Sequence, residues 1–586
     1  MRSYENFTWI HIFRHAAIKW FALAAALLLL LSLFLSVGER TKAQEEKEWR
    51  FGVVEAYTAP NSARELDIAW TRVRFHWAEA QKGGTGTWTP EVSDEQIANE
   101  LAAGRLVVGL LIGIPDWARD EDDLPQGLWL DYDDPDNTWG IFVRETVQRY
   151  AGQIDHWVIW NEPDIDKTAV AHSWDGGVED FYQLQRVAYL NAKEVNPEAV
   201  IHLSAFTYWA DVYADREQYL ARLLDKIVAD PEAAEHNYYF DKATAHLYFQ
   251  PDQIYDLLQL FQEVMKEHGI DKPIWLMETN APPHDDPAWP VAEHTLSVMQ
   301  DEQAAFMPQA LVSAMAAGAE RIGVYKMMDI PDDRQANPEP FGLLRIDGSR
   351  RPAFRALHVA MQQLTGAQQV TRERWDAVGQ FRVRQQDRET MVLFARLADP
   401  QQVEVEAIAE RARLVDLRGT EQLVEAQDGR YVLELPPALC MQTIGDYCMI
   451  GGSTFYLIQA LDGGDPPGGI APALPQPTTT PTSMPTATPT PTVTPTKTPV
   501  PPTTTPSPPP LATTARITET PATSRPPGAA TQVSALVVED VSKAAAGNEA
   551  TAVENSSGSW PAIFAGLLAL GFLLLVAWWL FTTRHP

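Results

Sequence analysis

The chain has 586 residues, too many for one hydrophobic core, so a large domain with accessory parts is the first expectation. Its 46 Lys and Arg against 78 Asp and Glu leave a formal net charge of −32, which repels phosphates and argues against nucleic acid or another polyanion as partner. Cys440 and Cys448 are the only cysteines, and without a Cys/His cluster they argue against a structural zinc site.

In chain order, residues 20–35 form an uncharged apolar run behind Arg2, Arg14 and Lys19, the layout of an export signal. We therefore read 1–43 as an export signal or an uncleaved N-terminal anchor. From 49 to 365, short apolar runs alternate with amphipathic stretches. The runs 51–54, 71–75, 106–112, 157–160, 199–203, 243–247, 274–277 and 321–325 read as eight strands. Helical patterns fall between them at 93–103, 138–151, 178–194, 214–229, 252–268 and 300–317. Eight alternating units in this length predict an α/β fold, a (β/α)8 TIM barrel, with functional residues on the loops after the strands. A doubly wound sheet has a similar rhythm, but no GxGxxG follows the first strand.

The period then shortens. Residues 366–460 carry alternating runs at 380–384, 391–395, 403–407 and 431–435, which predict a small β-domain, sandwich-like in kind. Cys440 and Cys448 lie within it, either as one small disulfide loop or as two buried thiols. Residues 473–557 are rich in Pro, Thr and Ser and cannot bury enough apolar surface to fold, so they read as a disordered stalk. Residues 560–581 are 22 uncharged positions with Trp560, Trp578 and Trp579 near the ends, long enough for a transmembrane helix. The expected address is the cell membrane, held by this tail, with the bulk of the chain on the extracellular side.

Two strands end in a glutamate. Trp160-Asn161-Glu162-Pro163-Asp164 closes the fourth apolar run, and Glu278-Thr279-Asn280 closes the seventh. Such a pair is what cleavage of a glycosidic bond requires: one carboxyl protonates the leaving oxygen, while the other meets the positive charge that develops on the sugar. No metal or organic cofactor is needed for that chemistry.

Other signals fall in register with the same barrel. They are Arg72-Val-Arg-Phe-His-Trp77 on the second strand, Gly113-Ile-Pro-Asp-Trp117-Ala after the third and His246-Leu-Tyr248 after the sixth. Together with Trp160-Asn-Glu-Pro163 and Glu278, they make residues 50–365 resemble clan A glycoside hydrolases. The nearest likeness is to family 39 relatives (β-xylosidase and iduronidase-like enzymes) and family 5-type cellulases. The resemblance implies a retaining mechanism, with Glu162 as general acid/base and Glu278 as nucleophile. It also implies that Asn161 bonds the sugar 2-hydroxyl, that Arg72 and Tyr248 hold the nucleophile, and that His246 lines the site. Parity along the strand leaves Arg72 and Arg74 equivalent; the resemblance selects Arg72. Trp117 is a candidate sugar platform.

The chain departs from that pattern in two places. Tyr325-Lys326 stands after the eighth strand where many clan members carry a tryptophan, and no glycine-containing turn follows Glu278. The expected partner is a β-linked carbohydrate. The alternatives are a non-catalytic carbohydrate-binding surface protein, a transglycosylase using the same residues, and a structural surface protein in which the stalk matters most.

Overall fold

The computed structural model describes residues 48–467, apart from 166, 168–171, 293 and 337. The export segment at 1–43, the stalk at 473–557 and the apolar run at 560–581 lie outside the described residues. No described helix is long and apolar enough to cross a membrane.

Eight parallel strands close into a barrel: β1 (Phe51–Val53), β2 (Trp70–His76), β3 (Leu106–Ile112), β4 (His156–Ile159), β5 (Val200–Phe206), β6 (Lys242–His246), β7 (Ile274–Thr279) and β8 (Arg321–Val324). Their order around the barrel is their order in the chain, with β8 paired back onto β1. Helices on the outside and side chains on the inside bury both faces, which is why these strands read as continuous apolar runs. Trp70, Val108, Leu110, Val158, Trp275 and Met277 fill the interior as one cluster. Room for Trp70 comes from Gly52, where a Cβ would lie 2.3 Å from the indole.

The helices begin where the sequence supplies caps. Ser93 accepts from the Gln96 amide at 3.2 Å to start Asp94–Ala102, and Asn137 accepts from the Gly140 amide at 3.0 Å to start Thr138–Arg149. The predicted helix at 214–229 is instead a short turn, Trp209–Tyr213, followed by Tyr219–Ala229. Two helices absent from the sequence reading, Pro60–Leu66 and Pro352–Leu364, each place a proline in the first turn, where its missing amide costs nothing.

Beyond the barrel come β9 (Gln369–Trp375), β10 (Val378–Arg384), β11 (Arg388–Ala395), β12 (Gln401–Glu406), β13 (Arg411–Asp416), β14 (Glu421–Glu425), β15 (Arg430–Leu435), β16 (Thr443–Ile444), β17 (Tyr447–Cys448) and β18 (Phe455–Ala460). Six form one antiparallel sheet in the order β14-β13-β18-β11-β10-β9, and β12 pairs with β15. Alternation along β11 divides the sheet's two faces: Met391, Leu393 and Ala395 pack with Val403, Val405, Tyr431 and Leu433, whereas Val392 and Phe394 join the barrel's core. The small domain is thus a sandwich of six strands and two, and its outer face is fused to the barrel. Cys440 and Cys448 form a disulfide, which resolves the choice the sequence left open.

Candidate active site

The barrel brings six of the seven proposed site residues into one hydrogen-bonded group at the C-terminal ends of its strands. Glu278 lies near the end of β7, and its two oxygens are both taken: Arg72 of β2 donates to Oε1 and the Tyr248 hydroxyl to Oε2. Arg72 and Glu278 are each 6 % exposed, so their ion pair is shielded from water. Burial opposes the charge on Glu278, but Arg72 and the Tyr248 hydrogen bond outweigh it and hold the carboxyl below its ordinary value. Burial, Glu278 and Glu162 push the Tyr248 hydroxyl well up, so it stays protonated and donates.

Glu162 enters from the other side. Its backbone lies in the left-handed region at φ 48°, as does Trp160 at φ 67°, a strained turn tied to β5 by the Glu162 amide donating to the Ala205 carbonyl at 3.2 Å. The turn swings Glu162 over the barrel mouth, where Oε1 meets His246 Nδ1 at 2.7 Å. Arg72 Nη1 lies 3.4 Å from His246 Nε2, and a guanidinium can only donate. That assigns the proton of the neutral ring to Nδ1, which donates to Glu162. Asn161 Nδ2 donates to the other Glu162 oxygen at 3.2 Å. Atoms of Glu162, His246 and Glu278 all lie within 4.8 Å of one another.

A cation would find three ligand atoms there, but poor terms. The oxygens of Glu278 already accept from Arg72 and Tyr248, and the guanidinium beside His246 repels a second positive charge.

The seventh sits elsewhere. Trp117 is in a short turn after β3, where its indole donates to the Gln81 carbonyl at 2.8 Å and meets Trp77 edge-on at 5.9 Å. Among the described residues, no hydrogen bond or ring contact joins Trp117 to the glutamates. Arg74, which parity left equal to Arg72, is exposed at the rim and pairs with Glu91 at 3.0 Å. Trp160 is core, edge-on to Trp139 and Trp174. Asp286 is buried between Arg345 and Arg351, each 2.8 Å away, which makes it part of an ion network.

Sequence reasoning missed two groups. Asp164, inside the motif itself, is buried; one oxygen takes the Thr207 amide and hydroxyl at 2.8 Å, and the other has no partner among the described residues. Glu55, just past β1, is ion-paired with Lys326, just past β8, at 3.1 Å. A sequence signal existed for Glu55, since it lies at the C-terminal end of a barrel strand as Glu162 and Glu278 do. Its partner lies 271 residues away and nothing local marks it.

No protein-family pattern matches the chain, and no curated protein matches it either. Solved structures do. A family 39 glycoside hydrolase from the gut symbiont Bacteroides cellulosilyticus WH2 superposes with a TM-score of 0.53 at 16% identity, covering 71% of this chain and 82% of that one. A glucosidase from Croceicoccus marinus gives 0.49 at 12% identity over 70% and 96% of the two chains, and a monomeric β-xylosidase from Caulobacter crescentus CB15 gives 0.46 at 13% over 70% and 96%. At such identities the likeness to the family 39 enzyme is one of fold: this chain shares its barrel-and-β-domain architecture.

Proposed function

We propose that the chain is a retaining glycoside hydrolase that cleaves β-linked poly- or oligosaccharides by double displacement. One observation carries the reading: two glutamates from opposite sides of the barrel mouth bring carboxylate oxygens within 4.8 Å, one of them locked in its charged form. Retaining enzymes hold their carboxyls about 5–5.5 Å apart, whereas inverting ones leave roughly 6.5–9.5 Å for a water.

In the first step the Glu278 carboxylate attacks the anomeric carbon as Glu162 gives its proton to the departing oxygen. A glycosyl ester forms on Glu278 and the glycosidic C–O bond breaks. In the second step Glu162, now ionised, takes a proton from water, whose oxygen displaces Glu278 and regenerates both groups. Arg72 and Tyr248 hold Glu278 charged for the first step. His246, donating to Glu162 Oε1, leaves Oε2 to carry the proton. Asn161 lies beside that oxygen, placed to bond the sugar 2-hydroxyl as the ring flattens.

The address is proposed from sequence, with the apolar run 560–581 as anchor and the barrel outside the cell. The Cys440–Cys448 disulfide fits that side, since such bonds persist in oxidising compartments.

Aryl β-glycoside hydrolysis by the full-length chain in detergent tests the reading. Glu162→Gln and Glu278→Gln are each expected to remove nearly all turnover while the chain still melts cooperatively, and azide is expected to restore turnover to Glu278→Gly with an inverted glycosyl azide as product. Full activity in either Gln variant overturns the assignment.

A further inference from the structure

The two catalytic glutamates leave one charged cluster at the barrel mouth without a role. Glu55 follows β1 by two residues, with its backbone in the left-handed region at φ 58°. Lys326 follows β8 by two residues and is 3 % exposed; its ammonium reaches Glu55 Oε2 at 3.1 Å and Asp333 Oδ1 at 2.8 Å. Tyr325, next to Lys326, sets its ring edge-on to Tyr248 at 6.5 Å, and Tyr248 donates to Glu278. Two aromatic side chains, Tyr325 and Tyr248, therefore link the cluster to Glu278.

An ammonium has three N–H donors, and two are used here. Among the described residues, the ammonium meets no acceptor beyond these two carboxylates, lying 5.8 Å from the centre of the Tyr325 ring, and Glu55 Oε1 has no donor; the Glu55 side chain is 15 % exposed. A spare donor and a spare acceptor thus stand side by side. Two carboxylates around one ammonium leave a local charge of −1. Direction matters too. In the closed barrel, β8 and β1 are neighbours and lie across from β4, which precedes Glu162. The acid must touch the leaving oxygen, so the aglycone departs on the β4 side. The ring hydroxyls far from the anomeric carbon then point toward β8 and β1.

We propose that Glu55 and Lys326 form a diol clamp, Glu55 accepting from one ring hydroxyl of the glycone and Lys326 donating to its neighbour. The substrate is then a neutral sugar with adjacent free hydroxyls remote from the scissile bond, and a uronate is turned away by Glu55 and Asp333. This inference rests on the glycosidase reading above for its direction, and its test separates the two.

The full-length chain in detergent is assayed with 4-nitrophenyl β-glycosides of glucose, xylose and glucuronic acid, and with monodeoxy analogues of the best neutral substrate. Calorimetric titration with the matching methyl glycosides reads the clamp without turnover. Loss of one clamped hydroxyl is expected to lower kcat/KM roughly 100-fold in the wild type, because it leaves a buried charged partner unpaired. In Glu55→Gln that discrimination is expected to shrink at least tenfold. Should Glu55→Gln fail to melt cooperatively, Glu55→Asp, which withdraws the charge by one methylene, is read in its place with the same expectation. Unchanged discrimination in a folded variant, or a preference for the glucuronide, overturns the clamp. A wild type that hydrolyses nothing yet binds with Glu55-dependent discrimination sinks the glycosidase reading and supports the clamp. Binding indifferent to Glu55 overturns the clamp whatever the turnover.

Discussion

Asp164 closes the Trp160–Asp164 segment with a carboxyl that burial pushes up to about 7, against two hydrogen bonds from Thr207 and with help from Glu162 and Asp211. The native form keeps a proton that the unfolded chain releases near 3.9. Stability from this group is therefore present at low pH and is lost as pH rises toward 7, by roughly 2–3 kcal/mol between pH 5 and pH 8. Asp164→Asn is expected to remove that slope, read from urea unfolding at the two pH values; an unaltered slope contradicts the assignment. Glu278 has the opposite sign. Its carboxyl is held low, so the acid limb of kcat/KM is expected below about pH 4.3, the ordinary glutamate value. Tyr248→Phe removes one donor to the charged form and is expected to move that limb upward and to lower kcat by about 100-fold. A limb that stays in place in the variant tells against Tyr248 as a donor to Glu278. At this scale the motif residues Asn161 and Glu162 were legible because a strand-end carboxyl beside an amide is a local pattern. Asp164 was equally visible but its burial was not, since exposure depends on Thr207, 43 residues away.

Strand β7 carries one residue more than its neighbours. Leu276 pairs with Ile322 of β8 and the next pair is Thr279–Val324, while on β6 His246 comes opposite Glu278 directly after Ala245–Leu276. This irregularity lets Met277 fill the barrel interior and still turns the next side chain, Glu278, toward the site. Strict alternation would have sent one of the two outward. Sequence revealed the strand and its terminal glutamate but not the extra residue, because a bulge is defined by pairing partners and not by the strand's own pattern. The bulge also explains Gly323 of β8: a Cβ there would lie 2.4 Å from the Met277 carbonyl and 2.7 Å from Trp70. Gly323→Ala is expected to destabilise by about 1–3 kcal/mol and to lower kcat by displacing the strand under Glu278. Melting and turnover measured together check this; unchanged values for both mean that the strand tolerates the methyl group. The helices Pro60–Leu66 and Pro352–Leu364 were missed for a different reason. One is only seven residues long, and the other lies between the last barrel strand and the β-domain, past the strand-and-helix alternation that marked the rest.

At the scale of the molecule, the β-domain is an extension of the barrel's core. Phe394, Tyr456 and Ile458 pack in the same cluster as the barrel helices, and Gln309 of Gln300–Ala316 bonds the backbone of Gly451 and Gly452 at 3.0 Å. Arg396 is buried at this seam, between the rings of Trp375 at 4.1 Å and Tyr447 at 4.4 Å, with Asp252 3.7 Å away. Arg396→Ala is expected to cost about 3 kcal/mol and to split one melting transition into two, because it strips a charge partner and a packed stem together. A single transition at the wild-type temperature rules that out. The disulfide-closed loop reaches the barrel as well, the Met441 amide donating to Glu302 at 3.1 Å and Gln442 accepting from the Ser297 amide at 3.0 Å. The small domain was legible as strands from their alternation, but its fusion to the barrel was not. Both faces of β11 are apolar, and periodicity alone does not say what covers the second face.

The most direct test is to trap the intermediate. Full-length chain is incubated with a 2-deoxy-2-fluoro β-glycoside bearing a good leaving group, then digested and analysed by mass spectrometry. A glycosyl adduct on the peptide that holds Glu278, absent from Glu278→Gln, is the expected result. Turnover without any adduct, or an adduct on a different residue, contradicts double displacement through Glu278.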